Sequence, residues 1–190
     1  VRLLEQNSVR IEWVEKGRLI QLSTSRDHQG VVLNTSLYPY TPFEDLLAHP
    51  RLLLLDNIED PQNVGAILRS AEVFGFNGVC LPNRGVPEVY PSIVKVSAGA
   101  TEFMQIARQF SANQYARKAA EEGYQIAALD MNGNTTLEAV RTAAPEKLML
   151  TIGGEDKSVG QFILNMADRT IGIPQFGRVN SLNASVAAGI

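Results

Sequence analysis

Apolar positions follow two different regimes along the chain. Residues 52–55, four leucines in a row, read as a strand buried on both faces of a parallel sheet. Val64, Ile67, Leu68, Ala71 and Phe74 then recur at helical spacing. Asn63 stands in the N-cap place of that helix and Gly75 at its stop. Further strands are expected at 78–81, 103–107, 124–129, 148–152 and 169–173. Helices are expected at 91–97, 113–122, 135–140, 159–167 and from Ser181 onward. This alternation predicts an α/β fold, a mostly parallel, doubly wound sheet with helices on both faces.

Before residue 51 the pattern is irregular. Val9, Ile11, Trp13 and Val14 suggest a strand, residues 18–22 a second and residues 31–33 a third, with a turn at Asp27-His28-Gln29-Gly30. Tyr38-Pro39-Tyr40-Thr41-Pro42 is a stiff connector, because each proline fixes φ and biases its neighbour toward extended backbone. A short helix over 43–48 follows. The organisation expected is a small, partial N-terminal α/β appendage with linker over residues 1–48 and a main domain over 49–190. Val1 in place of Met, and an end inside the helix-like stretch SLNASVAAGI, suggest a piece of a longer protein.

Composition narrows the function. The chain has 190 residues, 45% of them hydrophobic, enough for one medium domain or a domain with an appendage. A net charge of −3 advertises no global field for nucleic acid, although a local basic patch would suffice. One cysteine, Cys80, excludes an intrachain disulfide framework and fits a reducing compartment. No apolar run approaches the ~20 residues of a membrane span, and no leader is visible, so the expected location is cytoplasmic. His28 and His49 are isolated and a lone thiol cannot build a thiolate site, so no metal is expected.

Chemistry in a parallel sheet collects beyond the carboxyl ends of the strands. Four polar loops leave strand ends here: 56–63, 129–133, 153–160 and 174–183. The 153–160 loop, GGEDKSVG, has neither the phosphate-loop spacing nor the GxGxxG dinucleotide fingerprint. On its own it reads as a tight turn, with Glu155 or Ser158 capping the next helix. Ser181 reads as the N-cap of the last helix, and Ala184, Ala187, Ala188 and Gly189 imply that this helix packs closely. Asp56 and Glu59 read as part of a solvated loop.

Three segments taken together resemble the SpoU/TrmH family of SPOUT methyltransferases. In DPQNVGAILRSAEVFG at 60–75, Asn63, Gly65, Arg69, Ser70 and Ala71 match the family's N-x-G-x-x-x-R-[ST]-A pattern. LTIGGEDKSVG at 150–160 matches its strand followed by glycine-rich turns. IGIPQFGRVNSLNASVAA at 171–188 matches I-P-x-x-G…S-L-N-x-S-x-A. The His28-Gln29-Gly30 junction resembles that of members carrying an N-terminal RNA-binding module. The resemblance covers residues 28–190 and leaves 1–27 poorly matched.

What the resemblance implies is specific. The methyl donor would be S-adenosylmethionine, the acceptor a ribose 2′-hydroxyl of RNA, and the protein a homodimer with its site at the interface. The C-terminal end would form a trefoil knot, a rare exception to un-knotted topology. Arg69 would contact the 2′-hydroxyl, while Asn63, Glu155, Ser181 and Asn183 would position Arg69, ribose and donor. Backbone at Gly153, Ile173 and Leu182 would hold the cofactor, with Leu129 and Pro174 lining the same pocket. Ribosomal RNA is the first expectation for the substrate and transfer RNA the second. A non-catalytic RNA-binding protein on the same scaffold is opposed by the presence of all five polar site residues. A nucleotide-binding oxidoreductase is opposed by the missing fingerprint.

Overall fold

The computed structural model describes residues 2–23, 28–178 and 181–190. Asp27 of the expected turn and Asn180 of the expected 174–183 loop lie outside the described residues. The chain divides into two compact units, residues 1–37 and 38–190.

The first unit holds helices α1 (Arg2–Gln6) and α2 (Lys16–Leu22), and neither contains a buried residue. Among its described residues there is no strand, so three expectations are corrected. Residues 9–14 and 31–33 are unpaired, and residues 18–22 are helical. A strand needs a neighbour for its amides, whereas one helical turn satisfies them locally. Apolar alternation without a partner strand therefore has nothing to pair with.

The second unit begins earlier than residue 49. Helix α3 (Phe43–Leu46) buries Phe43 and Leu46 against Leu52, Leu54 and Tyr115, which makes it part of the main core. A six-stranded sheet follows in the order β3-β2-β1-β5-β4-β6. The strands are β1 (Arg51–Asp56), β2 (Gly78–Cys80), β3 (Gln105–Ala107), β4 (Gln125–Leu129), β5 (Leu148–Gly153) and β6 (Arg169–Ile171). Every neighbouring pair is parallel. Alternate leucines of β1 feed opposite cores. Leu53 and Leu55 pack with Ile67, Leu68 and Ile93 of α4 (Pro61–Val73) and α5 (Pro91–Val96). Leu52 and Leu54 pack with Tyr115 of α6 (Ala112–Glu121) and Ile163 of α8 (Gln161–Met166). An apolar run with no polar alternation is what a strand covered on both faces demands.

Two features prepare the site. The chain leaves β1 along α4 on one face and leaves β5 along α8 on the other, so the loops after these adjacent strands part and open a crevice. Beyond β6 the chain runs against the loop between β4 and α7 (Leu137–Ala143), with Asp130 N donating to Ile171 O at 3.0 Å and Gly172 N to Thr135 O at 3.0 Å. At this crossing a Cβ on Gly133 would collide with Gly172, and one on Gly172 with Gly133. The final helix α9 (Ala184–Gly189) packs on α4 and β5.

Candidate active site

The site is built on Asp56, the last residue of β1. Its carboxylate is only 7% exposed and accepts the Gly160 N–H at 2.8 Å, while its carbonyl accepts the Gly154 N–H at 3.0 Å. One residue thus closes both ends of the 153–160 loop. Burial pushes the Asp56 carboxyl above its ordinary value, and the Gly160 N–H, which favours the charged form, opposes that rise. The expectation of a solvated Asp56 is corrected, because a polar residue ending a strand buried on both faces is covered with it. Gly153 and Gly154 have no room for a side chain: a Cβ would strike the Ser158 backbone in one case and the Asn57 carbonyl in the other. Asn57 and Ser158 both hold left-handed backbone, at φ 56° and 46°, and are joined by a 3.4 Å bond from Asn57 Nδ2 to Ser158 O. Such conformations persist where the surroundings over-determine them.

Three capping expectations are corrected, and the corrections free side chains for the site. Asp60, not Asn63, caps α4 by accepting the Gln62 N–H at 2.9 Å, with Pro61 in the first turn. Gly160 precedes α8 without a side-chain cap, so neither Glu155 nor Ser158 is used there. Asn183, not Ser181, caps α9: its Oδ1 accepts from Ser185 N at 3.0 Å and Val186 N at 3.3 Å.

Asn63 and Glu155, both free of capping, meet Asn183, which caps α9 through its Oδ1 and reaches them through its Nδ2. Glu155 Oε1 accepts Asn63 Nδ2 at 2.9 Å, Asn183 Nδ2 at 2.7 Å and the Ala184 N–H at 3.4 Å. Asn183 Nδ2 also donates to Asn63 Oδ1 at 2.8 Å. Three elements distant in sequence, the start of α4, the loop after β5 and the start of α9, are therefore tied at a single carboxylate. Hydrogen bonds to an ionised acceptor are stronger than neutral ones, so this knot of polar groups defines geometry.

Beside it lies a cleft of about 130 Å³. Leu129, Gly153, Ile173 and Leu182, four of the five residues expected at the cofactor, line it together with Glu155 and Ser181. Pro174 does not; it lines an adjoining cleft that shares Met131, Ile173 and Gln175 with the first. Arg69 is also outside the lining. It is exposed, about 9 Å along the axis of α4 from Asn63, and among the described residues it has no hydrogen bond or ion pair. It does not pair with Glu155. Glu59 and Lys157 form an exposed ion pair at 2.7 Å that links the loops after β1 and β5; the lysine lowers the Glu59 carboxyl and Glu59 raises the Lys157 ammonium.

Several groups in the site lie outside the sequence expectation. Asp130, Ser158, Ala184 and Ala187 line the cleft, and Asp56 stands behind it. A carboxylate closing a fully apolar strand was the available signal for Asp56. The others are visible only once β4, β5 and α9 are brought side by side. Among the described residues no helix is long and apolar enough to cross a membrane, and no group of His, Cys, Asp and Glu could hold a metal ion.

Comparison with known proteins gives a consistent picture. Residues 50–190 match the model of the SpoU rRNA Methylase family. A tRNA/rRNA methyltransferase of a Mycobacterium species, itself uncharacterized, is 35% identical over 100% of this chain and 62% of its own length. A TrmH-family tRNA/rRNA methyltransferase of Bacillus subtilis is 32% identical over 100% of this chain and 78% of its own. The crystal structure of an AdoMet-bound rRNA methyltransferase from Sinorhizobium meliloti superimposes with a TM-score of 0.71 and 26% identity, covering 80% of this chain and 58% of that one. The chain spans about three fifths (62%) of the length of the mycobacterial relative.

Proposed function

The chain belongs to the SpoU rRNA Methylase family, and we propose that it is an S-adenosylmethionine-dependent methyltransferase acting on a ribose 2′-hydroxyl of RNA, with ribosomal RNA as substrate and transfer RNA as the second reading. The observation that carries this is the convergence of Asn63 and Asn183 on Glu155 at the rim of a cleft beyond β5. The cleft suits the methyl donor chemically. Leu129, Ile152, Ile173 and Leu182 offer apolar surface for the adenine and methionine stem, and Asp130 and Glu155 offer negative charge to a cationic sulfonium and ammonium. The AdoMet-bound relative from Sinorhizobium meliloti supports the same assignment.

When bound, S-adenosylmethionine supplies an electrophilic methyl carbon on sulfur, which passes to the ribose oxygen as the thioether leaves. The remainder is the work of this chain's residues. Methyl transfer needs in-line approach, so holding the acceptor in place can supply much of the rate. Asn63, Glu155 and Asn183 provide a preorganised rim for that purpose. An arginine guanidinium is a poor general base, so the role of Arg69 is to stabilise the alkoxide as it develops, with the proton leaving to a neighbour or to water. Because Arg69 lies outside the cleft lining, the reading requires a second surface to bring it to the donor. A homodimer with the site at its interface provides one, and would cover Val73, Phe74, Val186 and Ile190, which are all exposed on α4, α9 and their ends. In the same reading the segment after β6 threads the β4–α7 loop as a trefoil knot, for which the close Gly133–Gly172 crossing gives support. The N-terminal residues then belong to an RNA-binding module.

Incubating the protein with methyl-labelled S-adenosylmethionine and separate ribosomal and transfer RNAs, then mapping the label, tests the proposal. Label on a ribose 2′-oxygen is expected. Label on a base, or none on either RNA, overturns it.

A further inference from the structure

The second cleft, about 490 Å³, is larger than the first and has a different chemical character. Its volume falls within the roughly 300–1,000 Å³ of small-molecule sites. None of its lining residues is charged: amides and hydroxyls of Asn132, Asn134, Thr135, Thr136 and Gln175 share it with Met131, Ile173 and Pro174. A phosphate would find no cation there, and the charged ends of the methyl donor would find no counter-charge. Those ends match the first cleft, where Asp130 and Glu155 stand.

The polar groups are arranged for an outside partner. Asn134 Oδ1 accepts from Thr170 at 3.3 Å and from Thr135 at 3.4 Å, which fixes the amide and leaves its Nδ2 available. Among the described residues, the side chains of Asn132 and Gln175 have no hydrogen-bond partner. Asp130 Oδ1 accepts the Asn132 N–H at 2.8 Å and so holds the turn that carries Asn132. Part of the lining is backbone at the Gly133–Gly172 crossing, where no side chain fits and the wall cannot collapse inward. Pro174 and Met131 add flat and polarizable apolar surface. One held amide, at Asn134, and two with unused bonding groups, at Asn132 and Gln175, stand beside apolar faces without charge, and this is the chemistry that reads an unstacked nucleobase through its hydrogen-bonding edge.

We infer that this second cleft holds the base of the nucleotide being methylated, or of its immediate neighbour, and that Asn132 and Asn134 read its edge. The three residues shared with the first cleft make the two sites contiguous, so a base seated here keeps its ribose beside the methyl donor. This rests on the reading of the first cleft as the donor site.

The test uses the full chain saturated with S-adenosylhomocysteine, so that the donor cleft is filled. Adenosine, guanosine, cytidine and uridine are titrated in turn while the side-chain amide resonances of Asn132 and Asn134 are followed. Saturable shifts with one nucleoside preferred over the others are expected. In methyl-transfer assays Asn132→Ala and Asn134→Ala should each raise KM for RNA ~10-fold, the loss of one well-made hydrogen bond, with the affinity for S-adenosylmethionine unchanged. Asn132 is exposed and among the described residues its side chain makes no hydrogen bond, so its variant keeps the test free of folding effects. The inference is overturned if no nucleoside shifts these amides, if S-adenosylhomocysteine alone shifts them and excludes nucleosides, or if both variants keep the wild-type KM for RNA. Failure of the wild type to transfer methyl to any RNA would instead strike the functional reading, and the nucleoside titration is read independently of it.

Discussion

Replacing Glu155 tests whether the site works by positioning. Three donors converge on the single atom Oε1, from Asn63, Asn183 and Ala184. Truncation by Glu155→Ala removes all three bonds. Glu155 and Asn183 are exposed, so water takes the place of the lost acceptor, and the net cost to stability is about 1 kcal/mol rather than the sum for buried charge-assisted bonds. For a chain of this size that is a fall in Tm of roughly 2–4 °C. Activity should suffer far more. The carboxylate ties the β5 loop to the starts of α4 and α9, and a displacement of ~1 Å in a reacting geometry costs on the order of 100-fold, equal to about 2.7 kcal/mol of barrier. Glu155→Gln discriminates further. Because every bond uses Oε1, a neutral amide oxygen can keep all three, and the loss in kcat/KM should stay near 10-fold. The assay is labelled methyl transfer to RNA, with donor affinity by calorimetry and a thermal melt of each variant. If Glu155→Ala retains turnover within about threefold of wild type, positioning by this carboxylate is wrong. If Gln is as damaging as Ala while the melt is unchanged, the charge itself and not the geometry is what the site needs.

Arg69→Ala should abolish methyl transfer with a Tm change under about 1 °C, since the side chain is exposed and unpaired among the described residues; near wild-type turnover would refute its assignment. Gly154→Ala places a Cβ against the Asn57 carbonyl, and should lower Tm and donor affinity together because the loop cannot keep its turn; a variant that melts and binds like wild type would contradict the crowding described. Asp56 has a raised carboxyl value in the folded state, so the folded form holds its proton more tightly than the unfolded one. Stability from this group therefore falls as pH rises from the ordinary carboxylate value of 3.8 through the higher folded value, and stays lower above it. Asp56→Asn, whose amide oxygen can still accept from Gly160, should flatten that slope in urea titrations between pH 3 and 7; an unaltered slope would show that another group causes it.

Much of the fold could be read in one dimension because parallel sheets leave a coarse mark. Apolar runs too short for helices, such as 52–55 and 148–152, alternate with helical spacing, and the observed strands fall at those places within a residue or two. The N-terminal strands failed for the opposite reason: their alternation had no partner strand, and pairing is not a property of one segment. Helix caps failed similarly. Asn63, Ser181 and either Glu155 or Ser158 were candidate caps, but Asp60 and Asn183 took two of those places and Gly160 stands at the third without a side-chain bond. Local propensity ranks the candidates, and the tertiary partner of each side chain decides among them.

Legible in the residues alone were the α/β class, the strand positions of the main domain and the family pattern carried by Asn63, Arg69, Glu155 and Asn183. These depend on residue type and spacing, which are local quantities. Folding is what brings Asn63 and Asn183, 120 residues apart, to share a hydrogen bond and one carboxylate. It alone buried Asp56 as the clamp of the glycine loop, separated Pro174 into a second, uncharged cleft, and left Arg69 outside the first. The order of the sheet is the cause. With β5 inserted between β1 and β4, loops distant in the chain lie side by side, and that adjacency is set by packing over the whole core rather than by any one stretch.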